Sequence, residues 1–210
     1  MNPSSHGPIE DFGRARTEAL SDGVFAIVLT LLVLELKVPH LNDPRSVPEL
    51  AHALLAIVPK LVSWVISFVT VAVIWVNHHR FFRYVRVVDD GLLWHNANLL
   101  LWTSLLPYPT ALMGDYHRNP LGVSLYGVCM ALMALSFVLL RGHLIAHWSL
   151  AHEHVDRAAF VKGSRASILM GPVAYLVGAV LAWVYEPIAF ALYATIAMYF
   201  VTPLSHPRTR

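Results

Sequence analysis

The residues of this chain best suited to chemistry lie at the start of its first apolar segment. Arg16, Ser21 and Asp22 directly precede an apolar stretch that ends at Glu35. Ionisable side chains are costly at the edge of a segment long enough to cross hydrocarbon, so they usually pair, support assembly or handle ions. These residue types could therefore contact cations, or they could form a hydrogen-bonded anchor.

The apolar stretch that follows contains one stripe of residues at helical spacing. Ile27, Thr30, Leu31 and Leu34 are three or four positions apart and so share one face of a helix. If several copies surrounded an axis, these side chains would form apolar constrictions, and the hydroxyl and carboxylate groups nearby would favour cations. The same stripe is also typical of an ordinary membrane helix, in which the threonine bonds its own backbone. The polar pair before it could equally be a helix N-cap.

Histidine offers a second candidate chemistry. The chain has 12 histidines, and His143 and His147 have the four-residue spacing that lets two imidazoles on one helix face bind one metal. His152 and His154 follow them, and a membrane di-iron enzyme would use clusters of this kind. The HxxHH boxes of such enzymes do not occur in the sequence. We therefore expect no metal site, no catalytic residue and no enzyme, and interpret this segment as a solvated connector.

Composition indicates a membrane protein. Of the 210 residues, 57% are hydrophobic and 13% are charged, whereas a soluble domain has about half and about a quarter. The net charge of +2 is too small to indicate a nucleic-acid partner. The single cysteine, Cys129, excludes an intramolecular disulfide. The alternative, a soluble bundle of unusually apolar helices, would need several segments of bilayer length by coincidence.

Six apolar segments are predicted to cross the bilayer, which needs about 20 residues per helix. They are residues 20–38, 50–76, 92–113, 121–140, 168–185 and 188–201. The fold class is therefore an all-α membrane protein with six transmembrane helices. Residues 1–17 are predicted to be a cytoplasmic segment, residues 18–204 the transmembrane domain and residues 205–210 a cytoplasmic tail.

The distribution of lysine and arginine predicts the orientation, because cytoplasmic loops carry an excess of both. Eleven of them fall on one side of the predicted topology, including both ends of the chain. The other side holds only Lys37, Arg45 and Arg118. The N- and C-termini are therefore predicted to be cytoplasmic.

Polar residues from three predicted spans lie at one cytoplasmic depth. They are Arg16, Ser21, Asp22, His78, Trp94 and Asn96. Because an unsatisfied polar group in hydrocarbon costs several kcal/mol, we expect them to form a structural network. In this network Asp22 would pair with Arg16 or His78, and Trp94 would pack alongside. Direct contact of Asp22 with ions is the alternative.

Three motifs resemble a known family. The sequence from Arg16 through Leu20-Ser-Asp-Gly resembles the RxxxFSDG signature of the TMEM175-like potassium-channel family. Trp75-Val-Asn-His78 resembles the family's WxxH, and the LLPYPT sequence from Leu105 resembles its third span. The resemblance covers about residues 14–113, and the later spans match in layout only. Leu20 stands where the family has phenylalanine, which changes an aromatic packing contact and no charge.

The resemblance implies a potassium-preferring cation channel without a TVGYG filter, a motif that this chain also lacks. It implies that the first helix of each subunit lines the pore. Ile27 would form the main hydrophobic constriction, Leu31 and Leu34 further ones, and Thr30 would contribute to potassium preference. The partners would be permeant monovalent cations and the lipid bilayer, with no cofactor.

The length of the chain fits the prokaryotic form of that family, which has one six-span unit per chain and assembles as a homotetramer. We therefore expect a multi-pass protein of the cell (plasma) membrane. Two alternatives stay open. One is a secondary transporter, for which Gly171-Pro172 is the only candidate helix break. The other is a membrane metalloenzyme built on the histidine cluster.

Overall fold

The computed structural model describes residues 7–201, with the side chains of residues 13–162 and 171–200, and it is built of helices. In chain order these are α1 Gly7–Leu31, α2 Val47–Ala56, α3 Val58–Phe82, α4 Asp90–Leu105, α5 Pro107–Asp115, α6 Pro120–Ala146, α7 Arg157–Ile168, α8 Ala174–Leu181 and α9 Glu186–Val201. A 3₁₀ turn at Leu32–Glu35 continues α1, and a π-helical turn at Leu169–Val173 joins α7 to α8. The predicted all-α fold class is confirmed.

Three helices in the described part of the chain are long and apolar enough to cross a membrane. They span Gly13–Glu35, Val58–Phe82 and Pro120–Ala146. Shorter apolar helices lie at Val47–Ala56, Gly171–Leu181 and Glu186–Phe200. These lengths and compositions fit a multi-pass membrane protein.

Prolines account for two departures from the predicted spans. The segment predicted at 50–76 is two helices, α2 and α3, which meet at Ile57 with Pro59 in the first turn of α3. Proline lacks an amide hydrogen and suits a helix start, so a new helix begins there. Helix α3 then continues to Phe82, beyond the predicted end.

The segment predicted at 92–113 is likewise interrupted, at Leu106. Pro107 and Pro109 supply no amide hydrogens, so α4 ends and α5 begins at this point. The interruption is local, because the backbone of Leu106 keeps helical angles of φ −57° and ψ −34°. Its carbonyl also accepts a hydrogen bond from the amide of Thr110 at 3.1 Å.

Helix α6 is the centre of the core. It packs against α4, α5, α7, α8 and α9. Tyr193 of α9 inserts between α6 and α8, with its ring 5.2 Å from that of Tyr126 and 5.9 Å from that of Tyr175. Gly127 and Gly178 make room for it, since a Cβ on either glycine would collide with the Tyr193 side chain.

Two connectors pair with each other at the end of the molecule where α1 begins. The α3–α4 connector meets the α6–α7 connector in an antiparallel bridge between Val85 and Ala151. The amide of Arg86 donates to the carbonyl of Leu150 at 2.7 Å, and the amide of His152 donates to that of Tyr84 at 3.0 Å. This junction is contacted by Arg14 of α1.

Candidate functional site

Helix α1 has one face buried in its own chain. Thr17, Ser21, Phe25, Val28 and Leu32 are all buried, at spacings of three and four residues. They place a continuous stripe against α3 and α4, the helices that α1 contacts. This packing fixes which residues α1 turns away from the chain.

The opposite stripe of α1 is exposed. Ile27 is 58% exposed and Leu34 66% exposed, and Leu31 and Thr30 beside them are also exposed. The final turn is a 3₁₀ helix, in which residues three apart eclipse each other, so Leu34 lies directly beyond Leu31. The structure thus places all four residues of the predicted constriction stripe on one uncovered face.

The hydroxyl of Thr30 uses its hydrogen within its own helix. Its Oγ1 donates to the carbonyl of Ile27 at 2.8 Å and lies 3.2 Å from that of Ala26. The oxygen lone pairs therefore remain available on the exposed face. A group of this kind can accept from water or coordinate a cation, but it does not offer a hydrogen to an anion.

A buried chain of hydrogen bonds ties α1 to α3 and α4. Asn96 Nδ2 donates to Ser21 Oγ at 3.0 Å, and Ser21 Oγ donates to the carbonyl of Thr17 at 2.8 Å. With this amide orientation, Asn96 Oδ1 accepts from His78 Nε2 at 2.8 Å. The structure therefore brings together three of the six residues predicted for the polar network.

Aromatic rings enclose the histidine of this chain. The His78 ring lies 5.4 Å from the ring of Phe25 and 4.7 Å from that of Phe82, measured between centroids. His78 is buried in the same region as Asn96. The rings hold the imidazole in one orientation, so the hydrogen bond to Asn96 keeps a fixed geometry.

Asp22 lies outside this buried chain of hydrogen bonds. Trp75 Nε1 donates to Asp22 Oδ1 at 2.8 Å, and both residues are exposed. The sequence predicts Arg16 or His78 as the partner of Asp22, whereas the hydrogen bond observed comes from Trp75, the tryptophan of the WxxH pattern. Arg16 is exposed and lies on the same side of α1 as Ile27.

Trp94 does not pack beside the network within the chain, since it is 77% exposed. The physical reason is the helical period. Trp94 is two positions from Asn96 on α4, so the two side chains point in nearly opposite directions. The tryptophan presents an apolar ring at the outer surface of the chain instead.

Arg14, near the start of the part of α1 whose side chains are described, bonds to the paired connectors. Arg14 Nη1 donates to the carbonyl of Val85 at 3.1 Å and lies 3.3 Å from His152 Nε2. Arg14 Nε is also 3.3 Å from Glu18 Oε1, one helical turn along. Sequence reasoning missed the contacts with Val85 and His152, because they join positions far apart in the chain.

The 3₁₀ turn that continues α1 borders a small cavity that contains charged groups. Its lining includes Glu35, Lys60, Trp64 and Asp115, and Lys60 forms an ion pair with Asp115. Glu35 is half-buried and faces this cavity rather than extending the exposed stripe. The acidic end that the sequence suggested for the stripe is thus partly turned toward the chain.

The histidines of α6 form an acid–imidazole contact. His143 Nε2 lies 2.9 Å and 3.0 Å from the two carboxylate oxygens of Asp89, and the His143 and His147 rings are 4.3 Å apart. Burial raises the pKa of Asp89, but the amide of Leu92 and the neighbouring histidines together hold that pKa below its usual value. In residues 13–162 and 171–200, no group of three or more His, Cys, Asp or Glu is arranged to hold a metal ion.

Comparison with known proteins identifies a family to which this chain is similar. Residues 16–107 match the family described as "Endosomal/lysosomal potassium channel TMEM175". A potassium channel of Streptomyces collinus is 36% identical over 88% of this chain and 90% of its own length. A potassium channel of Chamaesiphon minutus is 35% identical over 88% of this chain and 92% of its own. The human endosomal/lysosomal proton channel TMEM175 is 24% identical, and the match covers 37% of it.

The fold agrees with these matches. The crystal structure of a lysosomal potassium-selective channel TMEM175 homolog from Chamaesiphon minutus superposes with a TM-score of 0.79. The two chains are 32% identical, and the superposition covers 93% of this chain and 99% of the other. The matched family and structure are ion channels rather than enzymes. The chain belongs to the TMEM175 family of ion channels.

Proposed function

We propose that this chain is a potassium-preferring cation channel whose pore is lined by α1 from each of four subunits. The observation that carries the proposal is the division of α1 into two faces. One face is held in the chain by buried polar bonds, and the other is apolar, continuous and uncovered. A pore-lining helix needs this division, because its inner face must be left open to ions.

The uncovered face supplies the constriction. Four copies of Ile27 around an axis would form one apolar ring, and Leu31 with Leu34 would form further rings along the same stripe. Hydrophobic rings control conduction through the wetting of the pore. Ile27 is the first residue of the stripe, nearest the buried anchor at Ser21, and is our proposed main constriction.

Thr30 is our proposed contributor to potassium preference. Its hydroxyl hydrogen is engaged by the helix backbone, so the oxygen faces outward as an acceptor. Four such oxygens close to a constriction could replace part of the hydration shell of a monovalent cation. No bound cofactor is needed for this role, since the permeant ion is the only ligand.

The buried chain of hydrogen bonds serves as the anchor for this arrangement. Ser21, Asn96 and His78 fix the rotation of α1 about its axis. A rotation by one residue, about 100°, would turn Ile27 away from the axis. We assign Arg16, Asp22 and Trp94 to the outer part of the same structural region, where assembled subunits meet.

We further propose six spans with both termini in the cytoplasm of the cell that carries the channel in its plasma membrane. Helices α4 and α5 together supply the third span, and α8 and α9 supply the fifth and sixth. Eleven of the 15 arginines and lysines fall on the side of the predicted topology where α1 begins, which favours a cytoplasmic location for that end.

Reversal potentials of the purified protein in planar bilayers, with potassium on one side and sodium on the other, test this function. We expect currents that reverse near the potassium equilibrium potential. Transport that requires a co-ion gradient would indicate a secondary transporter instead. Native mass spectrometry tests the assembly, and a monomer as the conducting species would exclude a pore of four α1 helices.

A further inference from the structure

A groove of about 650 Å³ lies beside α7, at the end of the molecule where α1 begins. Its walls come from the last turn of α6 and the first half of α7. The lining residues are Ile145, Arg157, Ala158, Val161 and Lys162. Three of these are apolar and two are cationic, a composition that the channel function does not use.

One aromatic side chain, that of Phe160, fixes the position of α7 against the rest of the chain. Phe160 is buried, with its ring 5.4 Å from that of Tyr84 and 5.6 Å from that of Trp148. The guanidinium of Arg141 lies 4.5 Å from the centre of the Phe160 ring, a cation–π distance. This anchor turns the opposite face of α7, which carries Ala158 and Lys162, toward the groove, and Arg157 lines the groove from the first turn of the helix.

Helix α7 is also placed at the level of a membrane surface. It has 12 residues and is thus about 18 Å long, too short to cross a hydrocarbon core of about 30 Å. It connects α6, which is of membrane-crossing length, to the apolar helix α8. Because the π-helical turn continues α7 directly into α8, the first half of α7 extends beyond the apolar helix α8, where basic side chains reach the lipid headgroups.

The two cations are held toward the groove without an acidic partner. Arg157 Nη2 donates to the carbonyl of Ile145 at 3.2 Å, and its guanidinium lies 5.7 Å from the Trp148 ring centre. These contacts orient the guanidinium and leave its other N–H groups available. Lys162 is exposed, and neither cation forms an ion pair with a carboxylate among the described residues.

We propose that this groove binds one anionic phospholipid of the adjoining leaflet. Arg157 and Lys162 would pair with the headgroup phosphate, and an acyl chain would lie along Ile145, Ala158 and Val161. Two cations at the rim and an apolar floor match the two parts of such a lipid, and basic pockets between membrane helices bind acidic headgroups in this way. The proposal rests on the membrane placement of the chain and not on its ion selectivity.

Native mass spectrometry of the full-length protein, exchanged into mixed micelles of phosphatidylglycerol and phosphatidylcholine, measures this binding. We expect the protein to retain phosphatidylglycerol preferentially. The double variant Arg157→Gln/Lys162→Gln should reduce that retention about tenfold or more. The matched control is Lys37→Gln/Arg45→Gln, which removes the same charge from the opposite end and should leave retention unchanged.

A second variant tests the floor without touching the cations. Val161→Asp places a negative charge between them and should reduce phosphatidylglycerol retention, while Val161→Leu should preserve it. Equal retention by the wild-type protein and the double variant would overturn the proposal. So would displacement of the lipid by millimolar inorganic phosphate, because the ligand would then be a soluble anion. Potassium currents recorded from the same samples keep this result separate from the proposed channel function.

Discussion

The indole nitrogen of Trp75 lies 2.8 Å from the carboxylate of Asp22, and this hydrogen bond joins α3 to α1 on the outside of the chain. The neighbouring Ser21 is buried and bonds inward, to Asn96. Two adjacent residues of one motif thus hold α1 from two sides. The inner contact, between Ser21 and Asn96, fixes the rotation of α1 about its axis. The outer contact, between Asp22 and Trp75, holds α1 against α3 at the exposed surface.

Trp75→Phe should lower stability by about 1 kcal/mol, since it removes the donor to a charged group on an exposed surface while keeping an aromatic ring. Thermal unfolding in detergent measures the change. Trp183→Phe is the matched control, because Trp183 is also exposed and lies in the turn between α8 and α9. An equal loss in both variants would show that the indole ring matters and the Trp75–Asp22 bond does not.

Asn96→Ala should be more damaging, by about 2–4 kcal/mol, because it leaves the buried Ser21 and His78 without their shared partner. Loss of these hydrogen bonds should also let α1 rotate over a wider range of angles about its axis and so reduce ion selectivity. Asn98→Ala is the control on the same helix, where one partly buried bond to Ser136 is lost. Selectivity unchanged in Asn96→Ala would contradict the anchoring role.

The anchor shows what sequence could and could not predict. Local spacing places Ser21 and Asp22 at the start of a membrane helix, and depth arguments place His78 and Asn96 beside them. Sequence could not separate the inward serine from the outward aspartate, because this depends on where α4 lies against α1. The exposure of Trp94 follows from its two-residue offset from Asn96, because the helical period turns side chains two positions apart to nearly opposite sides.

The same limit applies to the helix boundaries and the long-range contacts of the fold. The lengths of the apolar segments predict where the helices lie. Pro59 and Pro107 nevertheless divide two predicted spans into two helices each, and hydropathy alone does not predict these break points. The contact of Arg14 with Val85 and His152 depends on two connectors pairing in three dimensions. No short-range pattern encodes such a junction, because its partners are separated by most of the chain.

Ile27→Ser should increase single-channel conductance severalfold, since a polar ring wets more readily than an apolar one. The effect should be smaller for Leu34→Ser, at the other end of the stripe from the proposed main constriction. Leu135→Ser on α6, an exposed position away from α1, is the control and should conduct as wild type. Unaltered conductance in Ile27→Ser would place the constriction elsewhere.

Thr30→Val should reduce the permeability ratio of potassium over sodium, because valine keeps the shape of threonine and removes the outward oxygen. Thr30→Ser keeps the oxygen and should retain most of the preference. Bi-ionic reversal potentials measure both ratios. Valine and serine variants with the same ratio would show that the hydroxyl takes no part in selection.

Asp89 gives a pH prediction outside the membrane-spanning segments. Its carboxylate caps α4 by accepting from the amide of Leu92 at 2.7 Å and contacts His143. Although burial raises its pKa, these partners lower it overall, so the folded value lies below the unfolded value near 4. The stabilisation is therefore present above about pH 4 and is lost as the pH falls through the folded pKa.

Asp89→Asn should keep the cap and abolish the acid-dependent part of stability contributed by this residue, because asparagine caps helices without a charge. Asp89→Ala should lose the cap as well, at a further cost of about 1 kcal/mol at neutral pH. Thermal unfolding between pH 3 and pH 7 separates the two variants. If Asp89→Asn loses stability on acidification as steeply as the wild-type protein, the depressed pKa of Asp89 is not a source of that loss.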